Sequence, residues 1–237
     1  MSLPKVTVPS FNETIPSNKN QIKIRQMLTK EEKILLLAKE SNNNFDIQNA
    51  IKQIVNNCII DQTNINDLAI FDMEYLFLKI RGLSVSNIVK QQYEDVDDKE
   101  IRQFDIDLNN ITVKFPEKDN SKIQINEGSY IKLHYPLCSI LNNKEIVDNK
   151  ESSNFIDKVL FQCIESICID SKVYLKNQLT EKDVVEWIDS CPIDVFYKIN
   201  EFFTNLPHLY YKITYINKNN DERTIELSNI YDFFTWR

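Results

Sequence analysis

The strongest constraint on the fold of this chain is the spacing of apolar residues in residues 27–82, which follows the period of an α-helix. In residues 46–58 the apolar side chains recur every three or four positions, and this spacing predicts a helix with one buried stripe. Asparagine and lysine fill the other side of the same segment. The residues of the stripe are Ile47, Ala50, Ile51, Ile54, Val55 and Cys58.

One further helix is predicted on each side of this segment. Thr29 and Glu32 have the spacing of a capping box, in which both side chains satisfy free backbone N–H groups, ahead of the apolar residues 34–37. The other helix is expected around residues 71–81, with Gly82 at its end because glycine fits the left-handed conformation that commonly closes a helix. Residues 27–82 therefore predict a helical region that carries no catalytic chemistry.

Composition places the chain among globular proteins and limits the classes of partner that it can bind. Its 237 residues are 42% hydrophobic and 11% aromatic, which is enough to bury a core in one or two domains. The formal net charge of −7 disfavours nucleic-acid binding, which needs clustered lysine and arginine. No apolar run is long enough for a membrane span, and residues 1–20 lack the apolar core of a signal peptide. We expect an acidic protein that binds other proteins, but neither nucleic acid nor membranes, and stays where it is made.

Glycine and cysteine usage argues against cofactor and metal sites. Gly82 and Gly128 are the only glycines, whereas loops that bind phosphates or dinucleotides need several close together. The five cysteines are an odd number without a Cys-x-x-Cys pair, so neither a disulfide framework nor a zinc ribbon is indicated. Residues 94–100 contain five carboxylates but lack the glycine and spacing of a calcium loop, and are predicted to be a solvated hairpin tip. No cofactor is expected.

Changes of pattern along the chain predict an α+β fold. Residues 1–20 contain three prolines and predict an extended arm, followed by the helical part in residues 21–84. Beyond residue 84 the apolar period changes from 3.6 to 2, so residues 85–137 predict a central β-rich insert. Residues 138–237 predict helices and a C-terminal β-hairpin, packed with residues 21–84.

In the C-terminal part, helical spacing, prolines and turn residues predict three helices and a hairpin. Helical spacing predicts a helix over residues 154–169 and a second one opened by Thr180. Pro192 fits the first turn of a third helix, which runs until Pro207 prevents its continuation. Residues 209–227 then predict the hairpin, with an asparagine-rich turn in its middle.

No catalytic residue is predicted. His134 and His208 are the only histidines and lie in different regions of the chain. A thiol-dependent hydrolase using Cys138 would need one of them as a base, and no third orienting group stands at a recognisable spacing. A pair of catalytic carboxylates cannot be located from sequence, because its function depends on a separation in space. The hydrolase stays as a remote alternative to a non-enzymatic protein.

Aromatic residues near the C-terminus predict a protein-contact surface, because aromatic side chains contribute much of the binding energy at interfaces. The alternative is that alternate residues of this segment simply face the core of the hairpin. We also expect a contact role for Tyr75, on the exposed side of its helix. The contact residues predicted at the C-terminus are Tyr231, Phe233, Phe234 and Trp236.

Four segments in a fixed order carry a family resemblance: residues 28–36, residues 50–61, residues 71–81, and residues 222–227 followed by 232–234. Together they resemble the baseplate hub proteins of T-even-type contractile-tailed bacteriophages. That family often has a Cys-x-x-Cys knuckle in its central β segment, and this chain has residues 94–102 there instead, so a zinc site is not expected.

The resemblance implies a structural or assembly component of the baseplate hub of a contractile phage tail. Its partners would be other hub or tail proteins, in a homo- or hetero-oligomer, and its location the virion tail baseplate. The alternative is a chaperone for hub subunits that acts in the host cytoplasm during tail assembly and is absent from the virion.

Overall fold

The computed structural model describes residues 6–148 and 155–233. It forms two compact units. Unit 1 comprises Met1–Lys114 together with His208–Arg237, and unit 2 comprises Phe115–Pro207. Each unit combines helices with antiparallel sheets, which confirms the predicted α+β class.

Unit 1 begins with a β-hairpin and three helices. Strands β1 and β2 pair antiparallel, and the helices α1 to α3 follow. A second antiparallel hairpin, β3 and β4, and a short strand β5 complete this part. The bounds are β1 Ser10–Thr14, β2 Gln21–Arg25, α1 Thr29–Ser41, α2 Asn44–Cys58, α3 Ile70–Ser84, β3 Ile88–Glu94, β4 Ile101–Asp107 and β5 Thr112–Lys114.

Unit 2 consists of a four-stranded antiparallel sheet with helices, and the sheet order is β6-β7-β8-β9. Its buried core joins apolar side chains of the sheet, such as Ile131 and Ile167, to Val184, Ile199 and Phe202 of the helices. The bounds are β6 Lys122–Asn126, β7 Ser129–Leu133, α4 Lys144–Asp148, α5 Phe155–Cys163, β8 Ile164–Ile169, β9 Lys172–Leu175, α6 Glu181–Asp189 and α7 Ile193–Thr204.

The chain returns to unit 1 with the predicted C-terminal hairpin, β10 His208–Ile216 and β11 Glu222–Leu227. The two strands pair antiparallel, and the other edge of β10 pairs with β5, so the sheet order is β11-β10-β5. A 3-10 turn, Ile230–Phe233, follows.

Helix α2 confirms the sequence prediction. All six residues of the predicted apolar stripe are buried. Asn43 caps the helix, since its side-chain oxygen accepts hydrogen bonds from the backbone N–H groups of Phe45 and Asp46. A long amphipathic segment is thus determined by its own periodicity.

The ends of the neighbouring helices differ from prediction. Thr29 is the first residue of α1 and Leu28 its cap, and Glu31 rather than Glu32 accepts a 2.8 Å bond from the Leu28 N–H. Helix α3 continues past Gly82, which has no positive φ, to Ser84. The Ser84 hydroxyl bonds back to the Ile80 carbonyl and accepts the Met27 N–H, which holds the last turn against the chain before α1.

The predicted domain boundaries do not coincide with the two units. Residues 10–14 of the predicted arm pair with β2, because Pro9 and Pro16 flank the strand instead of interrupting it. The predicted insert is divided, with residues up to Lys114 in unit 1 and those from Phe115 in unit 2. Of the C-terminal part, only the segment from His208 belongs to the same unit as residues 21–84.

The prediction of a helix over residues 154–169 is wrong for residues 164–169. Helix α5 ends at Cys163, and residues 164–169 form strand β8, which pairs with β7 and β9. Isoleucines at positions 164, 167 and 169 are also common in strands. Pairing with the neighbouring strands of the sheet makes this segment a strand and not a helix. Strand β9 was not predicted.

Candidate interaction surface

Tyr75 is half-buried on α3 and bonds to the N-terminal hairpin. Its hydroxyl donates to Glu13 Oε1 of β1 over 3.2 Å, and the Lys79 ammonium lies 5.0 Å from the centre of its ring. Burial raises the pKa of the Tyr75 hydroxyl, and the Glu13 carboxylate raises it further. Tyr75 therefore ties α3 to β1 and keeps only part of its ring surface for a partner.

Tyr231 is also half-buried, and its hydroxyl accepts a 2.9 Å hydrogen bond from Gln48 Nε2 of α2. Burial raises the pKa of this hydroxyl. Tyr75 and Tyr231 thus bond to different elements of unit 1, Tyr75 to β1 and Tyr231 to α2.

The burial of Phe233 removes this residue from the predicted contact surface. Its side chain is 0% exposed and belongs to the core together with Ile230 of the same 3-10 turn. The turn is fixed by Asp232, whose carboxylate accepts the N–H groups of Ser228 and Asn229. The alternative that alternate aromatic residues face the core therefore holds for Phe233. Phe234 and Trp236 lie outside the described residues.

The acidic run forms the connection between β3 and β4, as predicted, and Glu94, Val96, Asp97 and Lys99 are exposed, but Asp95 is not. Asp95 is only 2% exposed and accepts a 2.7 Å hydrogen bond from the Tyr215 hydroxyl of β10. It also accepts the backbone N–H groups of Asp97 and Asp98 at 2.9 and 3.1 Å. These bonds lower the pKa of the Asp95 carboxyl, the Tyr215 bond most of all.

Basic groups pair with Asp97, Asp98 and Glu100 of this acidic run. The Arg102 guanidinium bonds both oxygens of Asp98, at 3.0 and 2.6 Å, and holds the pKa of that carboxyl well below its ordinary value. Asp98 also accepts the backbone N–H of Lys218, from the turn between β10 and β11. Arg223 of β11 contacts Asp97. The run therefore fixes the β3–β4 hairpin against the β10–β11 turn, a link between distant segments that local sequence patterns do not signal.

The cysteines and His134 give no support to thiol catalysis. Cys138 is 0% exposed, so its sulfur is closed to an outside substrate. His134 Nδ1 lies 2.8 Å from the Tyr135 carbonyl oxygen and donates its proton there. Burial raises the pKa of Cys58 to about 11 and that of Cys163 to about 12, which keeps both as inert thiols.

The described residues contain neither a metal-binding cluster nor a membrane-spanning helix. No group of three or more His, Cys, Asp or Glu side chains in residues 6–148 and 155–233 is arranged to hold a metal ion. Within the same ranges, no helix has the length and apolar character needed to cross a bilayer.

Comparison with known proteins identifies the family. A family model described as T4 bacteriophage base plate protein matches residues 8–235, nearly the whole chain, and the chain belongs to this family. No curated protein and no solved structure gives a significant match. The resemblance seen in the sequence is thereby confirmed at the level of a T4-type phage baseplate protein. Family membership implies a structural or assembly role in the tail baseplate, a non-enzymatic protein, and contacts with other tail or baseplate proteins.

Proposed function

We propose that this protein is a component of the baseplate hub of a contractile phage tail, where it acts through protein–protein contacts and not through catalysis. The observation that carries this proposal is the family match over residues 8–235. The buried Cys138 and the internally paired acidic run support a non-catalytic role, because both groups are used within the fold. Other hub or tail proteins are the proposed partners, in a homo- or hetero-oligomer that involves neither nucleic acid nor membrane.

The test is to measure where the protein resides and whether baseplates need it. Host cells infected with phage that lack this protein should contain few complete baseplates in electron micrographs, and expression of the unsubstituted chain should restore them. Quantitative mass spectrometry of purified tails and of hub subassemblies should detect the protein. Detection with hub subunits in the lysate but not in purified tails would favour the cytoplasmic chaperone. Normal baseplates without the protein would refute both roles.

The proposed contact residues are Tyr75, Tyr231, Phe234 and Trp236. Tyr75 and Tyr231 keep part of their rings exposed in unit 1. The paired variant Phe234→Ser/Trp236→Ser should lower the number of complete baseplates, because it removes two aromatic anchors. Tyr197→Ser is the matched control, since Tyr197 is an exposed aromatic residue of unit 2. Equal baseplate counts for the two substituted proteins would remove Phe234 and Trp236 from the contact surface.

A further inference from the structure

Strand β11 presents one side of its backbone to solvent. Within the described residues it pairs only with β10. The N–H of Asn217 donates to the Asp221 carbonyl over 3.0 Å, so these two residues form a hydrogen-bonded pair at the start of the ladder. Hydrogen-bonded and non-bonded pairs alternate along an antiparallel ladder. Therefore Arg223, Ile225 and Leu227 bond to β10, and the intervening residues direct their N–H and C=O groups outward.

The outward residues are Glu222, Thr224 and Glu226, and their side chains are exposed. No hydrogen bond from the described residues reaches their outward N–H or C=O groups. Their side chains share one face of the sheet with Lys212, Thr214 and Ile216 of β10, all three exposed; Lys212 stands opposite Glu226, so the face has two carboxylates and one ammonium. The other face carries the buried residues Ile213 and Leu227. Among the described residues, the sheet is thus covered on one face only and open at this edge.

The edge has no structural barrier to strand addition. Natural proteins protect exposed edge strands with proline, bulges, very short strands or charged side chains, and among these only charged side chains are present on β11. Strand β11 has six residues, no proline and no register shift against β10. A regular edge of this kind is a template for an extended segment, whose main chain extends the sheet.

Charge on the edge decides between occupants. Glu222 and Glu226 stand on either side of Thr224, and neither takes part in an ion pair among the described residues. Glu226 has one weak partner, the Tyr210 hydroxyl at 3.5 Å. If two copies of β11 paired antiparallel about Thr224, each Glu222 would stand opposite a Glu226, and like charges directly opposite each other destabilise a sheet. A second copy of this chain is therefore disfavoured, whereas lysine or arginine on a partner strand would complement the edge.

We propose that β11 docks an extended segment of another baseplate protein by strand addition, and that this segment carries lysine or arginine at alternate positions. The segment would bond to the outward groups of Glu222, Thr224 and Glu226, with its basic side chains beside the two glutamates. This inference rests on the proposed function for the identity of the partner, while the edge itself is a property of unit 1.

The first experiment uses the full chain and a fluorescent synthetic peptide in which lysine alternates with valine. Thr224→Pro removes an outward N–H but no bond to β10, so the hairpin remains intact. It should weaken peptide binding about tenfold, because one hydrogen bond is lost and the ring hinders the approach of the partner strand. Thr224→Val keeps the N–H and should bind like the unsubstituted chain. Equal affinities for the proline and valine variants would overturn the inference.

A second variant reverses the charge of the two glutamates. It introduces no proline, so its result does not depend on how proline affects folding of the hairpin. Glu222→Lys/Glu226→Lys should lose affinity for the lysine peptide and gain affinity for a peptide in which glutamate alternates with valine. Hydrogen–deuterium exchange of the unsubstituted chain should show that the lysine peptide protects the amides of Glu222, Thr224 and Glu226. An unchanged peptide preference, or protection confined to other residues, would contradict docking at β11.

Phage assembly separates this inference from the proposed function. If the unsubstituted chain enters the baseplate and Thr224→Pro does not, while Thr224→Val does, strand addition is supported. If all three enter equally, the inference fails and the hub role stands. If the unsubstituted chain itself is neither in the baseplate nor needed for its assembly, the proposed function fails whatever the peptide experiments show.

Discussion

The Tyr215 hydroxyl donates a 2.7 Å hydrogen bond to the Asp95 carboxylate, and this bond joins two hairpins of unit 1 that lie 120 residues apart in sequence. Around it, the Tyr215 ring centre lies 5.2 Å from that of Phe104 and 5.2 Å from the Arg102 guanidinium carbon. The β10–β11 hairpin, which carries the proposed docking edge, is thus held in place by the acidic β3–β4 connection.

Tyr215→Phe should loosen this link. The substitution keeps the ring but leaves the buried Asp95 carboxylate with two backbone N–H donors and the Arg102 guanidinium 4.0 Å away. We expect a lower free energy of unfolding in urea and a higher pKa of Asp95, measured by NMR titration of its carboxyl carbon, because the Tyr215 bond is the largest cause that lowers this pKa. Tyr197→Phe, at an exposed tyrosine, is the control and should change neither. An unaltered Asp95 pKa in Tyr215→Phe would contradict the link.

Acid should weaken the same link. The pKa values of Asp95 and Asp98 are lowered in the folded protein, so both carboxyls stabilise it above their unfolded pKa of about 3.9. That stabilisation is lost as pH falls from this value toward the folded pKa. Urea unfolding at a series of pH values should therefore show stability falling below about pH 4. Asp98→Asn should reduce this dependence, since it removes one of the two groups, and an identical pH profile would argue against the assignment.

A buried ion pair should stabilise the start of α1. The Glu31 side chain is 0% exposed and lies 3.1 Å from Arg25 Nη2, while its other oxygen accepts the Leu28 N–H. Glu31→Ala should cost about 3 kcal/mol, because it leaves the largely buried Arg25 without its carboxylate. Lys30 contacts the same carboxylate from the surface, at 3.3 Å, so Lys30→Ala should cost less than about 1 kcal/mol. Equal losses for the two variants in urea unfolding would show that burial does not set the strength of this pair.

Local periodicity was enough to predict α2 and the C-terminal hairpin. Their apolar residues repeat at one period, and each element ends at polar or turn-forming residues. Strand β8 was missed because its isoleucines continue the helical spacing of α5, and only pairing with β7 and β9 makes them a strand. Secondary structure was thus predictable where one period was unambiguous.

The candidate site was less predictable, since its parts come from distant segments. The acidic run was visible in sequence, but nothing near it indicated that Tyr215 and Arg223 would reach it. The aromatic C-terminal segment suggested contacts, and burial of Phe233 depends on the 3-10 turn that Asp232 fixes. The free edge of β11 could not be inferred either, because the order of strands in a sheet is a tertiary property.

Phe233 offers the sharpest distinction between a core and a contact role. Phe233→Ala should destabilise the protein by about 3–5 kcal/mol, because it removes a fully buried ring and leaves a cavity. Phe196→Ala is the matched control, since Phe196 is 42% exposed and should cost much less. Both values follow from urea unfolding monitored by circular dichroism. If Phe233 were a contact residue, Phe233→Ala would leave stability unchanged and reduce only incorporation into the baseplate. That result would contradict the core role of Phe233 and support its contact role.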